Sequence, residues 1–279
     1  MDRNRTLDGV RGSLALLVLL WHASSGSLTL DNAVFMAISQ YAVLGFFILS
    51  GLVLTRAWDG DVPAFLLRRF VRLWPLYALS LAAGFLAAHR WPEWSQFLWY
   101  PLMNSRDNTL VDHQAWSLCI EAWAMPAMPL FVLAGRSLVS TIAGVGACFL
   151  LARWDSNFGF GVFFVLGAWL ARFEIRARLF ETAPLQWLGR ISYPLYLTHW
   201  MVLHYLGGPL WARVALAFAI AQALTWTVER WSISGSRRAG RWVRGLRPTL
   251  AALNRPTLAA PFRELPLLRP KSLFHRGTG

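Results

Sequence analysis

The sequence predicts an all-α protein: a polytopic bundle of about eight transmembrane helices with both termini on the cytoplasmic side. Three observations carry that expectation. Apolar residues make up 56% of the 279 and charged residues only 15%, against roughly 45–50% and about 25% in soluble domains. The apolar residues fall in blocks close to the ~20 residues that a helix needs to cross a bilayer. The arginines gather on one side of those blocks, as the positive-inside rule requires. A mean hydropathy of +0.42 argues against a soluble enzyme and rules out disorder over most of the chain.

In chain order the blocks are 7–27, 35–55, 73–89, 116–134, 138–152, 157–171, 187–207 and 211–229. The first follows Arg3 and Arg5 and runs through LALLVLLW, which also resembles a signal peptide ending at His-Ala-Ser-Ser. Seven further spans need no cleaved signal, so a retained helix is the better reading. The fifth and sixth blocks are short. Residues 94–103 (WSQFLWYPLM) are too short to span and read as an interfacial or re-entrant stretch. Sixteen Trp residues suit membrane interfaces, where one ring edge is wet. No internal repeat is visible.

The net charge of +13 comes from 27 basic residues, all but one of them Arg. Such a balance first suggests nucleic acid, but position argues otherwise. With the N-terminus inside, only Arg90, Arg106, Arg153 and Arg213 fall on the outer side. Eleven basic residues lie between Arg230 and Arg276. Residues 231–279 therefore read as an Arg/Pro-rich cytoplasmic tail behind a membrane domain at 1–230. The tail is a topological anchor, with SRRAGRWVRGLRP as a candidate interfacial helix on anionic lipid. Cys119 and Cys148 lie inside apolar blocks and offer neither a disulfide framework nor metal spacing. His89 and Glu93 make no convincing metal pair; His89, His113 and His204 read as loop or interface residues, and His275 lies in the tail.

Ionisable groups within spans are costly and therefore functional candidates. His22 follows Arg11 by eleven residues, which is 20° past three helical turns and a rise of about 16 Å, so both share one face. A guanidinium near the inner surface can hold a phosphate-bearing ligand, with Asp8 one turn away to orient it. An imidazole deeper on that face can act as a base, or it can cap Ser24 and Ser25 at a helix end. Glu121 lies about five residues inside its span, at a depth close to that of His22. It can pair with His22 and fix its tautomer, or bond a hydroxyl or an arginine. His199 reaches a similar depth with Tyr196 on its face, or it snorkels beside Trp200.

These residues stand in segments that resemble the acyltransferase-3 family of integral membrane O-acyltransferases. Leu7-Asp8-Gly9-Val10-Arg11-Gly12 followed by His22 resembles its opening motif. Phe46-Phe47-Ile48-Leu49-Ser50-Gly51 resembles its second-span signature. Phe65 with Arg68, Arg69, Arg72, Pro75 and Tyr77 resembles its first cytoplasmic loop. Trp116-Ser117-Leu118-Cys119-Ile120-Glu121 and the run from Leu188 to Trp200 resemble two later signatures, and Glu229 stands where the last span ends. The order holds from residue 7 to about 230. The chain departs from the pattern at Ala42-Val43-Leu44-Gly45, where Gly-Val-Asp is common, and at Ala122, where a second acid often stands. Two spans are absent between Glu121 and Gly189.

The resemblance implies transfer of an acyl group, most often acetyl, from acyl-CoA to a carbohydrate hydroxyl of a cell-envelope or secreted glycan. It implies a multi-pass protein of a bacterial inner membrane. Acyl-CoA is a donor substrate rather than a bound cofactor, and the acceptor glycan can be lipid-linked. The partners are these substrates and membrane lipid, with no metal and no nucleic acid. His22 and Glu121 are the implied catalytic residues. Arg11, Asp8, Arg68, Arg69, Arg72, Trp116, Ser117, Tyr196 and His199 are the implied substrate-binding residues. A sugar or lipid permease without chemistry is the competing class, because proton-coupled transporters also use intramembrane His and Glu. A shortened, non-catalytic family member is the third.

Overall fold

The computed structural model of the chain describes residues 4–24, 32–89 and 115–253. Among them every regular element is helical. The helices are α1 (Arg5–Ser24), α2 (Asn32–Arg56), α3 (Val62–Ala87), α4 (Ala115–Ala124), α5 (Met128–Ala134), α6 (Leu138–Leu151), α7 (Gly161–Leu170), α8 (Ala183–Tyr205), α9 (Leu210–Leu224) and α10 (Arg230–Leu253). Short 3₁₀ turns lie at Ser156–Phe160 and Arg178–Glu181, and a π-turn at Thr225–Glu229 joins α9 to α10. The segment 94–103 and His113 lie outside the described residues.

Each expected span meets helix, but fewer helices than eight are both long and apolar enough to cross a membrane. Among the described residues three qualify: Met36–Arg56, Val62–Ala87 and Leu210–Leu246. A fourth follows if α4 and α5, bent by 75° at their junction, count together. The bend falls at Pro126, which has no N–H to continue the helix. α6 and α7 are short. α1 and α8, with 20 and 23 residues, have the length, but Asp8, Arg11 and His22 in one and Arg190 and His199 in the other dilute their apolar character.

Two boundaries differ from expectation. The third helix starts at Val62 rather than at 73. Asp61 caps it, its carboxylate accepting from the Ala64 N–H at 3.1 Å, and a proline stands in its first turn, the favoured opening pair. Arg68, Arg69 and Arg72 are therefore helical residues and not loop residues. The second concerns the tail from 231, where only SRRAGRWVRGLRP reads as a candidate helix; the helix runs from Arg230 through Leu253. Residues Leu210–Leu246 run 37 residues, about 55 Å at helical rise. This exceeds the ~30 Å hydrocarbon core, so the arginine-rich end projects beyond it.

Small residues set the closest helix contacts, the usual basis of packing where lipid removes the hydrophobic drive. α1 and α8 run parallel. A Cβ at Gly12 would lie 2.6 Å from the backbone nitrogen of Gly189, and one at Gly189 would lie 2.7 Å from the Asp8 carbonyl carbon. α2 and α7 meet in the same manner at Gly51 and Gly167. α10 lies along α3 through Ser232, Ser236 and Gly240, all buried. Between these pairs Leu76, Tyr77, Leu118 and Leu197 belong to a hydrophobic cluster that joins α3, α4 and α8.

The α2–α3 turn carries a clasp. Asp59 accepts from Arg68 at 3.1 Å and from Arg244 of α10 at 2.7 Å. Partial burial raises the Asp59 carboxyl pKa, but the Arg68 hydrogen bond, a backbone N–H and both arginine charges outweigh that and hold it below its ordinary value of 3.8. A lowered folded value means that the contribution is complete above the ordinary value and is lost as pH falls through the folded one. The clasp is therefore expected to hold from neutral pH down to about 5. Asp59→Asn is expected to speed tryptic cleavage at Arg241 and Arg244 at neutral pH. Equal cleavage rates in variant and wild type would show that the clasp does not hold α10.

Candidate active site

A cavity of about 690 Å³ opens between α1, α2, α3, α4, α8 and the α9–α10 junction. Its charged walls come from six elements. α1 contributes Asp8 and Arg11, bonded to each other at 3.2 Å. α3 contributes Arg69 and Arg72, one turn apart on the same face. α4 contributes Glu121, and the π-turn contributes Glu229, which accepts from Arg72 at 3.3 Å. Arg190 of α8 and Arg230 and Arg237 of α10 complete the ring. Six guanidiniums thus face three carboxylates, a surplus that suits an anionic ligand.

Other lining residues are aromatic or hydroxylated. Tyr196 is buried, and its hydroxyl lies 2.7 Å from the Ser117 hydroxyl. Phe46 meets its ring edge-on at 5.5 Å between centroids. The Tyr193 hydroxyl donates to the Leu73 carbonyl at 2.8 Å and ties α8 to α3. One turn beyond Tyr196, with ring centroids 6.1 Å apart, lies the buried ring of His199.

His199 is paired with His22. His22 Nδ1 lies 3.0 Å from His199 Nε2, and His199 Nδ1 lies 2.9 Å from the Leu195 carbonyl oxygen. With both rings neutral the tautomers follow. The carbonyl can only accept, so His199 carries its proton on Nδ1 and accepts at Nε2. His22 then donates from Nδ1, and its lone pair is at Nε2. The helix register produces this meeting. His22 stands 177 positions before His199, the same offset as Gly12 from Gly189. The glycine contact and the histidine contact are therefore two points of one parallel α1–α8 seam. Trp200 stands edge-on to His22 at 5.1 Å and stacks on His204 at 3.5 Å.

Several expected site residues converge here, and others do not. Asp8, Arg11, Arg69, Arg72, Ser117, Glu121 and Tyr196 line the cavity. His22 and His199 form the pair beyond it. Arg68 turns away to the Asp59 clasp, and Trp116 packs on Phe47 and Phe160. Glu121 does not bond to His22. It accepts from the Ser50 hydroxyl at 3.0 Å and lies in the fields of Arg69, Arg11 and Arg72. Chain depth alone suggested the Glu–His pairing, but depth does not determine which way a helix face turns.

Sequence reasoning missed Ser50 as the partner of Glu121, and it missed Arg190, Arg230 and Arg237 as lining residues. A hydroxyl in the apolar run FFILSG was a usable signal for Ser50. For Arg230 and Arg237 the spacing of seven was visible, but the helix that carries it was expected as tail.

A family model described as an acyltransferase domain matches residues 4–183, which include Arg11, His22, Arg69, Arg72 and Glu121 and end before Tyr196 and His199. An 83-residue stretch is 35% identical to "Protein 2 in picA locus" of Rhizobium radiobacter, covering 29% of this chain and 44% of that protein. The chain thus matches less than half the length of that relative. No solved structure matches.

Proposed function

The chain belongs to the acyltransferase-3 family, and from that premise we propose that it moves an acetyl group from acetyl-CoA to a carbohydrate hydroxyl of a cell-envelope or secreted glycan. Membership and the apolar helices make it a membrane acyltransferase; the donor and the acceptor are the proposal. One observation carries it: an arginine-walled cavity lined by Tyr196, whose ring lies 6.1 Å from that of His199 in the His22–His199 pair.

In this reading the phosphates of CoA rest among the arginines and the pantetheine arm carries the thioester toward Tyr196. The glycan hydroxyl approaches from the Trp200 end. His22 Nε2 removes the hydroxyl proton as the oxygen attacks the thioester carbonyl. The carbon–sulfur bond breaks, and the proton passes from His22 to the CoA thiolate. His199 keeps His22 in the competent tautomer by accepting its Nδ1–H, much as a buried carboxylate does in a hydrolase triad. Glu121, held by Ser50, balances Arg69 and Arg72 in the cavity and positions them. On the orientation predicted by the arginine distribution, the donor enters from the cytoplasm and the acceptor meets His22 nearer the outer side.

The test is transfer of label. Purified protein in lipid is given radiolabelled acetyl-CoA and an extract of envelope glycans, and alkali-labile label in the glycan is the expected result. Absence of transfer with acetyl and longer acyl-CoAs alike would favour the permease reading, in which the buried His and Glu move protons and no acyl donor is needed. A finer expectation concerns Arg69. Arg69→Gln should raise KM for acyl-CoA by about 10–100-fold, the loss of one charge-assisted contact, with little change in kcat. A kcat loss at unchanged KM would move Arg69 from donor binding to the chemistry.

A further inference from the structure

The basic helix after the last apolar segment has more to do than anchor topology. The five-residue π-turn at Thr225–Glu229 offsets the α10 faces from those of α9 and turns Glu229 inward to Arg72. π-turns of this kind recur at functional sites. Three faces of α10 then have separate roles. Ser232, Ser236 and Gly240 pack on α3. Arg238 and Arg241 face outward, as anchors do. Arg230, Ile233 and Arg237, at spacings of three and four, line the cavity.

The cavity arginines are not equivalent. Arg11 is bonded to Asp8 and Arg72 to Glu229, and Arg69 lies over the Phe65 ring and in the field of Glu121. Arg190 of α8 and Arg230 and Arg237 of α10 have no hydrogen-bond or ion-pair partner among the described residues, yet all three line the same cavity. A topological anchor does not require that its arginines border a cavity, and Arg230 and Arg237 do so while remaining exposed. Two guanidiniums at the mouth of a site with a positive surplus are a seat for phosphate.

We propose that Arg230 and Arg237 of α10 bind the phosphate-bearing nucleotide end of the acyl donor, so that this helix forms one wall of the donor site. The proposal rests on acyl-CoA being the donor. The Asp59 clasp, through Arg244, holds that wall against the turn between α2 and α3.

The test is CoA binding to the full chain in nanodiscs of zwitterionic lipid. The double variant Arg230→Gln, Arg237→Gln is expected to bind CoA about 10–100-fold more weakly, with a shallower dependence of Kd on salt because two phosphate contacts are gone. Arg237→Lys in place of Arg237→Gln should recover part of the affinity. The double variant Arg238→Gln, Arg241→Gln removes the same formal charge from the outward face and should leave Kd unchanged. Equal affinity in the double variant and wild type overturns the proposal and leaves the donor assignment standing. Weaker binding with an unchanged salt slope also overturns it, since that is the mark of a helix that only supports the fold. Wild type that binds no CoA overturns the proposal and the donor assignment together. Repeating the titration with anionic lipid separates the two sources of phosphate. A donor seat keeps the difference between wild type and variant in both lipids. A difference seen only with anionic lipid assigns these arginines to headgroups and overturns the proposal.

Discussion

His22→Ala is expected to lower acyl transfer by about 10²–10⁴-fold, the usual contribution of a positioned general base, while KM for acyl-CoA stays within about twofold of wild type. The split follows from geometry. His22 is absent from the walls of the cavity proposed for the donor, and its bond is to His199 at 3.0 Å. Its ring acts on the acceptor hydroxyl and not on the CoA phosphates. Replacing His199 separates positioning from chemistry. His199→Phe removes the acceptor for the His22 Nδ1–H and is expected to cost about 10–100-fold in kcat, the value of one hydrogen bond to a group that becomes charged. His199→Gln, which can still offer an acceptor, should lose less. A non-catalytic family member predicts something different: His22→Ala would leave both transfer and the cellular phenotype where they were.

The second large effect lies at the seam between α1 and α8. Gly12→Leu is expected to destabilise the protein by about 1–3 kcal/mol, the range for forcing methylenes into a packed interior, and to abolish most transfer activity. A Cβ at Gly12 would already stand 2.6 Å from the Gly189 nitrogen and 2.8 Å from the Leu185 carbonyl oxygen, both backbone atoms that no rotamer change can move. The helices must part. Because the histidines share the glycine register, parting them also stretches the His22–His199 bond. Leu substituted at Gly146, where a Cβ meets nothing within 4 Å, controls for bulk. Thermal unfolding in lipid and transfer assays read the two consequences separately. A Gly12→Leu protein with wild-type activity and melting temperature would mean that the seam is not packed as described.

Fold class was legible in the sequence because a membrane leaves a coarse imprint. Apolar blocks of the right length need no tertiary information, and each expected block does contain helix. The number of spans was less legible for a reason visible in α1 and α8: the groups that make them functional, Asp8, Arg11, His22, Arg190 and His199, also dilute their hydropathy. The start of α3 was misplaced because Arg68, Arg69 and Arg72 read as loop chemistry, although Asp61 and Pro63 carry a helix-opening signal eleven residues earlier than expected. Arg11 and His22 were placed on one face by local periodicity alone. The partner of His22 was not, since it depends on a contact 177 residues away in sequence, set by two glycines whose pairing no local pattern reveals. Glu121 looked like the partner only by depth, and its bond goes to Ser50.

The most direct test of the central claim uses the donor as a probe of where its acyl carbon arrives. A bromoacetyl-CoA analogue places an electrophilic carbon next to the thioester carbonyl. Attack by His22 Nε2 expels bromide and leaves a stable alkylated imidazole. Wild-type protein in lipid, treated with the analogue and digested for mass spectrometry, is expected to carry the adduct on His22, with labelling suppressed by excess CoA. Adducts found only on Cys119 or Cys148, or labelling of His22 that CoA does not suppress, would contradict the account, because the arginine cavity would then not deliver the donor to the histidine pair.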